Sequence, residues 1–155
     1  MKTDTAAPFL AGSAREKRFS FAHFFAPRSI AVIGASERAG SVGRALVENL
    51  APFEGEVFPV NPRHPSVLGR PAWARVGELP VTVDLAVIAT PAALVPQIVR
   101  ECAEAGVKAA IVYAAGFKEA GPAGAELERQ VVILSLIHIS EPTRLRRISY
   151  AVFCL

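Results

Sequence analysis

The sequence is poor in cysteine. Cys102 and Cys154 are its two cysteines, and Cys154 stands next to the C-terminus, which leaves Cys102 alone in the body of the chain. A single cysteine cannot build a disulfide framework, and no Cys/His spacing suits a structural zinc ion. We therefore expect a reduced, cytoplasmic protein without a metal site.

Long apolar runs and a strong charge are also missing. A transmembrane helix needs about 18 or more apolar residues in a row. The most apolar run, Leu85–Val95, is interrupted by Thr90 and Pro91. The net charge is +3, and much of it comes from three arginines within residues 144–147. Because the rest of the chain is nearly neutral, we expect neither a nucleic acid nor a membrane as partner.

Residues 134–155, which read LSLIHISEPTRLRRISYAVFCL, stand apart from the rest of the sequence. Leu134–Arg144 resembles a translated transposon-type sequencing adapter, and Ile148–Leu155 resembles the primer that follows it, with a variable index between them. We interpret residues 134–155 as a non-native tail, and we expect the natural reading frame to be truncated near residues 130–133. The alternative is a genuine C-terminal hairpin with Ile148–Leu155 as a strand.

Between the two ends the chain alternates short apolar runs with amphipathic segments. Residues 1–18 lack a core-forming run and predict a disordered leader. The predicted strands are Ser29–Ile33, Glu56–Val60, Leu85–Ala89 and Ala109–Tyr113, and the predicted helices are Val42–Leu50, Ala92–Ala105 and one that starts over Ala123–Gln130. Residues 63–80 predict an irregular segment with one helical turn near Trp73. The alternation indicates a Rossmann-like α/β domain over residues 19–133, with a parallel sheet, helices on both faces and a C-terminal truncation.

A glycine-rich turn, residues 34–43, follows the first predicted strand and opens a helix. Its first glycine leaves the strand where a side chain would block a tight turn, and the other two allow close approach of backbone to a ligand. Two serines add hydroxyl groups, and the helix N-terminus supplies free N–H groups with partial positive charge. The turn departs from a strict GxGxxG pattern. It favours a pyrophosphate ligand over a ligand-free turn.

The residues at the end of the second predicted strand indicate which kind of nucleotide the domain binds. NAD-binding domains usually carry an acidic residue there, which accepts hydrogen bonds from the ribose hydroxyls. This chain instead has Asn61-Pro62-Arg63-His64, and Glu56 lies at the opposite end of the strand. Arg63 favours a nucleotide with an additional ribose phosphate, such as NADP or coenzyme A (CoA). His64 either assists Arg63 or is simply solvated.

Taken together, these residues resemble the CoA-binding domain of nucleoside-diphosphate-forming acyl-CoA synthetases. That domain is related to the N-terminus of the succinyl-CoA synthetase α-subunit and also occurs in some bacterial protein acetyltransferases. The resemblance runs from Phe24 to Gln130 through four blocks in order: Phe25–Ser36, Gly40–Gly43, Pro59–Arg63 and Gly116–Glu119.

The resemblance implies a set of residues along bound CoA. The residues implied to cradle the phosphates are Gly34, Ser36, Ser41 and Gly43. Asn61 and Arg63 are implied to lie near the adenosine 3′-phosphate, and Thr90, Pro91 and Gly116 beside the path of the pantetheine. The set is completed by their neighbours Ala35, Gly40, Val42 and Pro62. A helix start, with the threonine as cap and the proline at the first helical position, is the other interpretation of the Thr90-Pro91 pair.

The same resemblance sets an expectation about catalysis. Ligases of this family carry a phosphorylated catalytic histidine in the next domain and an ATP-grasp domain that charges it, and residues 19–133 show neither. We therefore expect a CoA-binding fragment of an acid–CoA ligase, with ATP or ADP used only by downstream domains. The alternatives are a CoA-responsive regulatory domain of a protein acetyltransferase, a stand-alone CoA-binding protein, and an NADP-binding oxidoreductase fragment.

Overall fold

A computed structural model describes residues 22–140 and 149–153 of the chain. The predicted leader, residues 1–18, lies outside the described residues. The elements in chain order are helix α1 (Ala22–Phe25), strand β1 (Ser29–Ile33), helix α2 (Val42–Asn49), strands β2 (Glu56–Val60), β3 (Ser66–Val67), β4 (Arg70–Pro71) and β5 (Leu85–Ile88), helix α3 (Val95–Glu104), strand β6 (Ala109–Tyr113), helix α4 (Pro122–Ser140) and strand β7 (Ser149–Phe153).

The main sheet has the strand order β2-β1-β5-β6-β7, and every neighbouring pair in it is parallel. All five residues of β1 and all four of β5 are buried. Strands buried on both faces need apolar sequence, which Ile30–Ile33 and Leu85–Ile88 supply, while the buried Ser29 Oγ accepts a hydrogen bond from the Asp84 amide at 3.0 Å. The parallel sheet of the predicted fold class is confirmed.

The sheet separates two hydrophobic layers because successive side chains of a strand point to opposite faces. Ile30 and Val32 pack on one face with Val47 of α2. Ile33 packs on the other face with Val99 of α3, and α4 contributes Val131 to the same layer. Helices therefore cover both faces, as the sequence predicts.

Two predicted elements need correction. The helix predicted over Ala92–Ala105 is a 3₁₀ turn over Ala92–Leu94 followed by α3, and Pro96 occupies the first turn of α3, where its missing N–H costs no hydrogen bond. The segment 63–80 is more regular than predicted, since β3 and β4 form an antiparallel hairpin. Trp73 is not helical but forms a parallel bridge with Val60, and the short helical turn lies at Val76–Glu78.

The C-terminal part of the described chain consists of helix α4 and strand β7. Helix α4 continues through residue 133 to Ser140, so the predicted boundary falls inside a helix. The strand expected within Ile148–Leu155 is present as β7, and it is parallel to β6, so that it is not one arm of a hairpin. The adapter origin of residues 134–155 stays a prediction.

A buried acid connects three elements at the amino edge of the sheet. Asp84, which is 4% exposed, accepts hydrogen bonds from Lys108 Nζ at 2.5 Å and from the backbone N–H of Arg28 at 2.9 Å. His23 Nδ1 of α1 lies 3.3 Å from the same carboxylate. Burial raises the pKa of Asp84, but these hydrogen bonds and the positive charges of Lys108 and His23 outweigh it and lower the pKa below 3.8.

Candidate functional site

The carboxyl ends of β1 and β5 lie where the chain diverges to the two faces of the sheet, and we call this place the crevice. The two strands are neighbours, yet the chain leaves β1 toward α2 on one face of the sheet and leaves β5 toward α3 on the other. Ladder hydrogen bonds continue one residue past the strands, from the Ala89 amide to the Ile33 carbonyl at 2.8 Å and from the Gly34 amide to the Val60 carbonyl at 3.0 Å. Open parallel sheets bind ligands at such a divergence point.

The glycine loop, residues 34–43, packs too closely for side chains at two positions. Gly34 has a φ of +89°, and a Cβ there would overlap the carbonyl oxygen of Ala89. A Cβ on Gly43 would overlap the carbonyl oxygen of Gly34, so the first turn of α2 lies directly against the start of the loop. Gly40 differs, because its φ is +73° while no atom lies within 4 Å of the place that a Cβ would occupy. The loop is therefore a tight backbone cradle at one end and open at the other.

The serines of the loop organise it internally. Ser41 is the N-cap of α2: its Oγ accepts from the Arg44 amide at 3.3 Å and donates to the Arg38 carbonyl at 2.7 Å. Ser36 Oγ accepts from the Arg38 amide at 3.1 Å. Within the described residues, the N–H groups of Val42 and Gly43 have no acceptor. These amides lie at the positive end of the helix dipole, which suits an anionic ligand group.

Asn61 positions the loop relative to β2. Its side-chain amide donates to the Ala35 carbonyl at 2.7 Å, and its Oδ1 accepts from the Arg63 amide at 2.8 Å. The Asn61 side chain therefore has an observed positioning role beside the ligand contact predicted for it. Pro62 and Arg63 follow as exposed residues, and the Arg63 guanidinium makes no hydrogen bond or ion pair within the described residues.

A hairpin loop, residues 62–72, extends from this point and was missed at the sequence level. Leu68 and Gly69 form its two-residue turn with φ angles of 51° and 74°. Both angles are positive, as a type I′ turn requires, and leucine is an unusual choice there. The Leu68 amide donates to Oε1 of Glu37 at 2.9 Å, so the tip of the hairpin loop rests on the glycine loop.

Thr90 provides a polar group without a partner at the crevice. Its Oγ1 is buried and makes no hydrogen bond within the described residues. The predicted capping role is wrong, since Pro91 holds the N-cap position of the 3₁₀ turn and no side chain caps it. A Cβ on Gly34 would lie 3.0 Å from Thr90 Cγ2, which places the threonine against the glycine loop.

Gly116 joins the same edge from β6. Its φ is +107°, and a Cβ there would lie 3.3 Å from the Cβ of Ala92, the residue that follows Pro91. The structure thus brings the glycine loop, Thr90-Pro91 and Gly116 to one edge of the sheet, while Arg63 stands on the adjoining hairpin loop.

Two features of many catalytic sites, a metal-ligand cluster and a reactive cysteine, are missing from the part of the chain that the structure describes. It holds no cluster of three or more potential metal ligands. Burial raises the pKa of the Cys102 thiol to about 12, with a further contribution from Glu101, so this cysteine is not a nucleophile near neutral pH. None of the helices in the described residues has the length and apolar character needed to cross a bilayer.

Comparison with known proteins agrees with this geometry. Residues 28–134 match the family described as "CoA binding domain". Over 108 residues, 70% of the chain, the sequence is 49% identical to an ADP-forming acetate–CoA ligase I of Archaeoglobus fulgidus. Over 114 residues it is 43% identical to a trans-feruloyl-CoA synthase of an unknown prokaryote. In each case the chain spans 16% of the length of that protein.

A solved structure shows the same fold. The acetyl-coenzyme A synthetase 1 of Candidatus Korarchaeum cryptofilum, in complex with phosphate and ADP, superposes with a TM-score of 0.73 at 35% identity. The superposition covers 77% of this chain and 26% of that one. This chain belongs to the CoA-binding domain family and is homologous to the N-terminal region of ADP-forming acetyl-CoA synthetases.

Proposed function

We propose that this domain binds CoA in the crevice between β1 and β5. The pyrophosphate lies at the glycine loop and the free amides of Val42 and Gly43, and the pantetheine passes Thr90 and Gly116. The observation that carries this placement is the buried, unpartnered hydroxyl of Thr90 at the crevice. A buried hydroxyl without a partner is costly, and CoA supplies amide, hydroxyl and phosphate groups that satisfy it.

Replacing Thr90 by valine is expected to change CoA affinity and the free energy of unfolding in different ways. Valine has nearly the same shape but no hydroxyl, so Thr90→Val removes the unsatisfied group. We expect the free energy of unfolding without CoA to stay equal or rise by about 1 kcal/mol, because the desolvation cost disappears. We expect CoA to bind about fivefold to tenfold more weakly, because its partner is lost. Urea denaturation and calorimetric titration with CoA measure the two effects, and unchanged CoA affinity would contradict the placement.

Arg63 is proposed to contact the adenosine 3′-phosphate. Loss of one charge-assisted contact costs about 1.5–3 kcal/mol, so Arg63→Ala should weaken CoA binding about tenfold or more. Dephospho-CoA lacks this phosphate and should bind the unaltered protein more weakly than CoA, but bind Arg63→Ala and the unaltered protein equally. NADP should hardly bind. Equal affinity of the unaltered protein for CoA and dephospho-CoA would count against the role of Arg63, and tight NADP binding would favour an oxidoreductase fragment.

We further propose that the parent protein is an acid–CoA ligase. The two relatives named above act on different acids, acetate and ferulate, but both names specify CoA. The region they share with this chain is therefore the one that handles CoA, and acid selection and the use of ATP or ADP belong to other domains. In such a ligase the thiol sulfur of CoA attacks the acyl carbon of an acyl phosphate, the thioester bond forms and phosphate leaves.

Sequencing the source locus across Gln130 with a different library chemistry tests the ligase proposal. A reading frame that continues into a domain with a catalytic histidine and an ATP-grasp domain would support both the ligase and the adapter interpretation of residues 134–155. An acetyltransferase domain in that place would favour a regulatory domain instead. A reading frame that ends at Leu155 would favour a stand-alone CoA-binding protein.

A further inference from the structure

The hairpin loop, residues 62–72, is held by hydrogen bonds at its base and at its tip, and between them by the fully buried side chain of Val67. At its base, the Asn61 amide donates to the Trp73 carbonyl at 2.8 Å, and the Ala72 amide donates to the Pro65 carbonyl at 2.9 Å. At its tip, the Leu68 amide donates to Glu37. Within the described residues, this is the only hydrogen bond between the hairpin loop and the glycine loop. Arg63 lies within the base, between the Asn61–Trp73 and Pro65–Ala72 hydrogen bonds, on the same hairpin loop whose tip is bonded to Glu37.

Glu37 is an unexpected residue in a loop that receives phosphate groups. A carboxylate there repels an anionic ligand, and an exposed side chain of this kind gains little by itself. Its Oε1, however, accepts the Leu68 amide, while its backbone carbonyl accepts from Arg44 Nη1 at 2.8 Å. The carboxylate and the backbone carbonyl of Glu37 therefore both accept hydrogen bonds from the protein, and the side chain connects the two loops.

The tip needs such an attachment because its turn is strained. Leu68 has a φ of 51°, a left-handed conformation that is unfavourable for a residue with a Cβ. A backbone N–H bonded to a carboxylate is stronger than one bonded to a neutral acceptor. The Glu37 carboxylate thus compensates for the strain and keeps Leu68 and Gly69 over the glycine loop.

We propose that Glu37 is a positioning residue that holds the hairpin loop, and with it Arg63, where the 3′-phosphate of CoA is recognised. The role rests on the proposed function, because Arg63 must be the residue that distinguishes CoA from dephospho-CoA. It adds that this selectivity depends on an acidic residue that need not touch the ligand.

Two substitutions of Glu37 distinguish the effect of its hydrogen bond from the effect of its charge. Glu37→Ala removes the acceptor, and Glu37→Gln keeps an acceptor oxygen but removes the charge. Glu54→Ala is the control, because Glu54 is exposed and precedes β2 at the opposite edge of the sheet. For each variant the Kd of CoA and of dephospho-CoA is measured by calorimetry, and amide hydrogen exchange of residues 66–71 is followed without ligand.

For Glu37→Ala we expect the ratio of the two Kd values to fall about threefold to tenfold, with faster exchange at residues 66–71. Glu37→Gln should restore both properties to near the unaltered values, and Glu54→Ala should change neither. If Glu37→Ala changes neither the ratio of the two Kd values nor the amide exchange of residues 66–71, the positioning role of Glu37 is overturned, while the proposed function is not affected. An unaltered protein that does not bind CoA would overturn the proposed function instead, and the exchange data would still decide whether Glu37 holds the hairpin loop.

Discussion

Gly43→Ala is expected to abolish tight CoA binding and to lower the free energy of unfolding by about 2 kcal/mol or more. Helix propensity predicts the opposite sign, since alanine is favoured over glycine by up to about 1 kcal/mol within a helix. The steric effect wins because the added methyl group would overlap the carbonyl oxygen of Gly34, and its next neighbours are also backbone atoms, at 3.0 and 3.2 Å. Backbone atoms have no alternative rotamer, so the glycine loop itself must move.

The control for this substitution is Gly77→Ala. Gly77 lies in the 3₁₀ turn Val76–Glu78, and no atom lies within 4 Å of a Cβ placed there. We expect unchanged or slightly raised stability and unchanged CoA affinity for the control. Urea denaturation and calorimetric titration with CoA measure both variants. A Gly43→Ala protein that binds CoA as tightly as the control would show that the close contact between α2 and Gly34 is not needed for the site.

Asp84→Asn is expected to lower the free energy of unfolding by about 2–4 kcal/mol near neutral pH. Asparagine can still accept the Arg28 amide, but it cannot neutralise Lys108, whose Nζ lies 2.5 Å from the carboxylate. The Lys108 side chain is 35% exposed, and water therefore screens part of the charge and favours the lower end of that range. CoA affinity should not change, because Asp84 lies at the amino edge of the sheet and the site lies at the carboxyl edge.

The loss at position 84 should depend on pH in a defined direction. The pKa of Asp84 is lowered in the folded protein below its ordinary value of 3.8. The folded state therefore binds fewer protons than the unfolded state in this range, and the contribution of Asp84 is complete above the ordinary pKa. It is lost as the pH falls through the folded-state pKa.

Urea denaturation at pH 7, 5, 4 and 3 measures this dependence. The difference in stability between the unaltered protein and Asp84→Asn should shrink as the pH falls below about 4. Glu104→Gln is the control, since Glu104 is exposed and makes no ion pair within the described residues. A difference that grows as the pH falls below about 4 would contradict the lowered pKa of Asp84.

Local sequence determined most of the architecture. The uninterrupted apolar runs of β1, β5 and β6 specify strands that are buried on both faces, and such strands form a parallel sheet only with helices on each side. The glycine loop could also be predicted, because Gly34 follows a strand and precedes a helix, where a positive φ and close packing require glycine. Arg63 in place of an acidic residue after β2 favoured a ligand with an additional phosphate, and this role of Arg63 stays a prediction.

Tertiary structure decided how the site is held together. Nothing local marks Leu68 for a left-handed turn, because leucine disfavours that conformation. The turn is supported by contacts from elsewhere in the chain, namely the hydrogen bond to Glu37 and the packing of Leu68 against the core. Likewise, Thr90 next to a proline is typical of a helix cap, and only the packed crevice shows that its hydroxyl has no partner. Sequence by itself determined the strands, the glycine loop and the class of ligand, because these depend on residues close together in the chain. The positions of Glu37, Asn61 and Thr90 depend on contacts between residues far apart in the chain, which exist only once the sheet has formed.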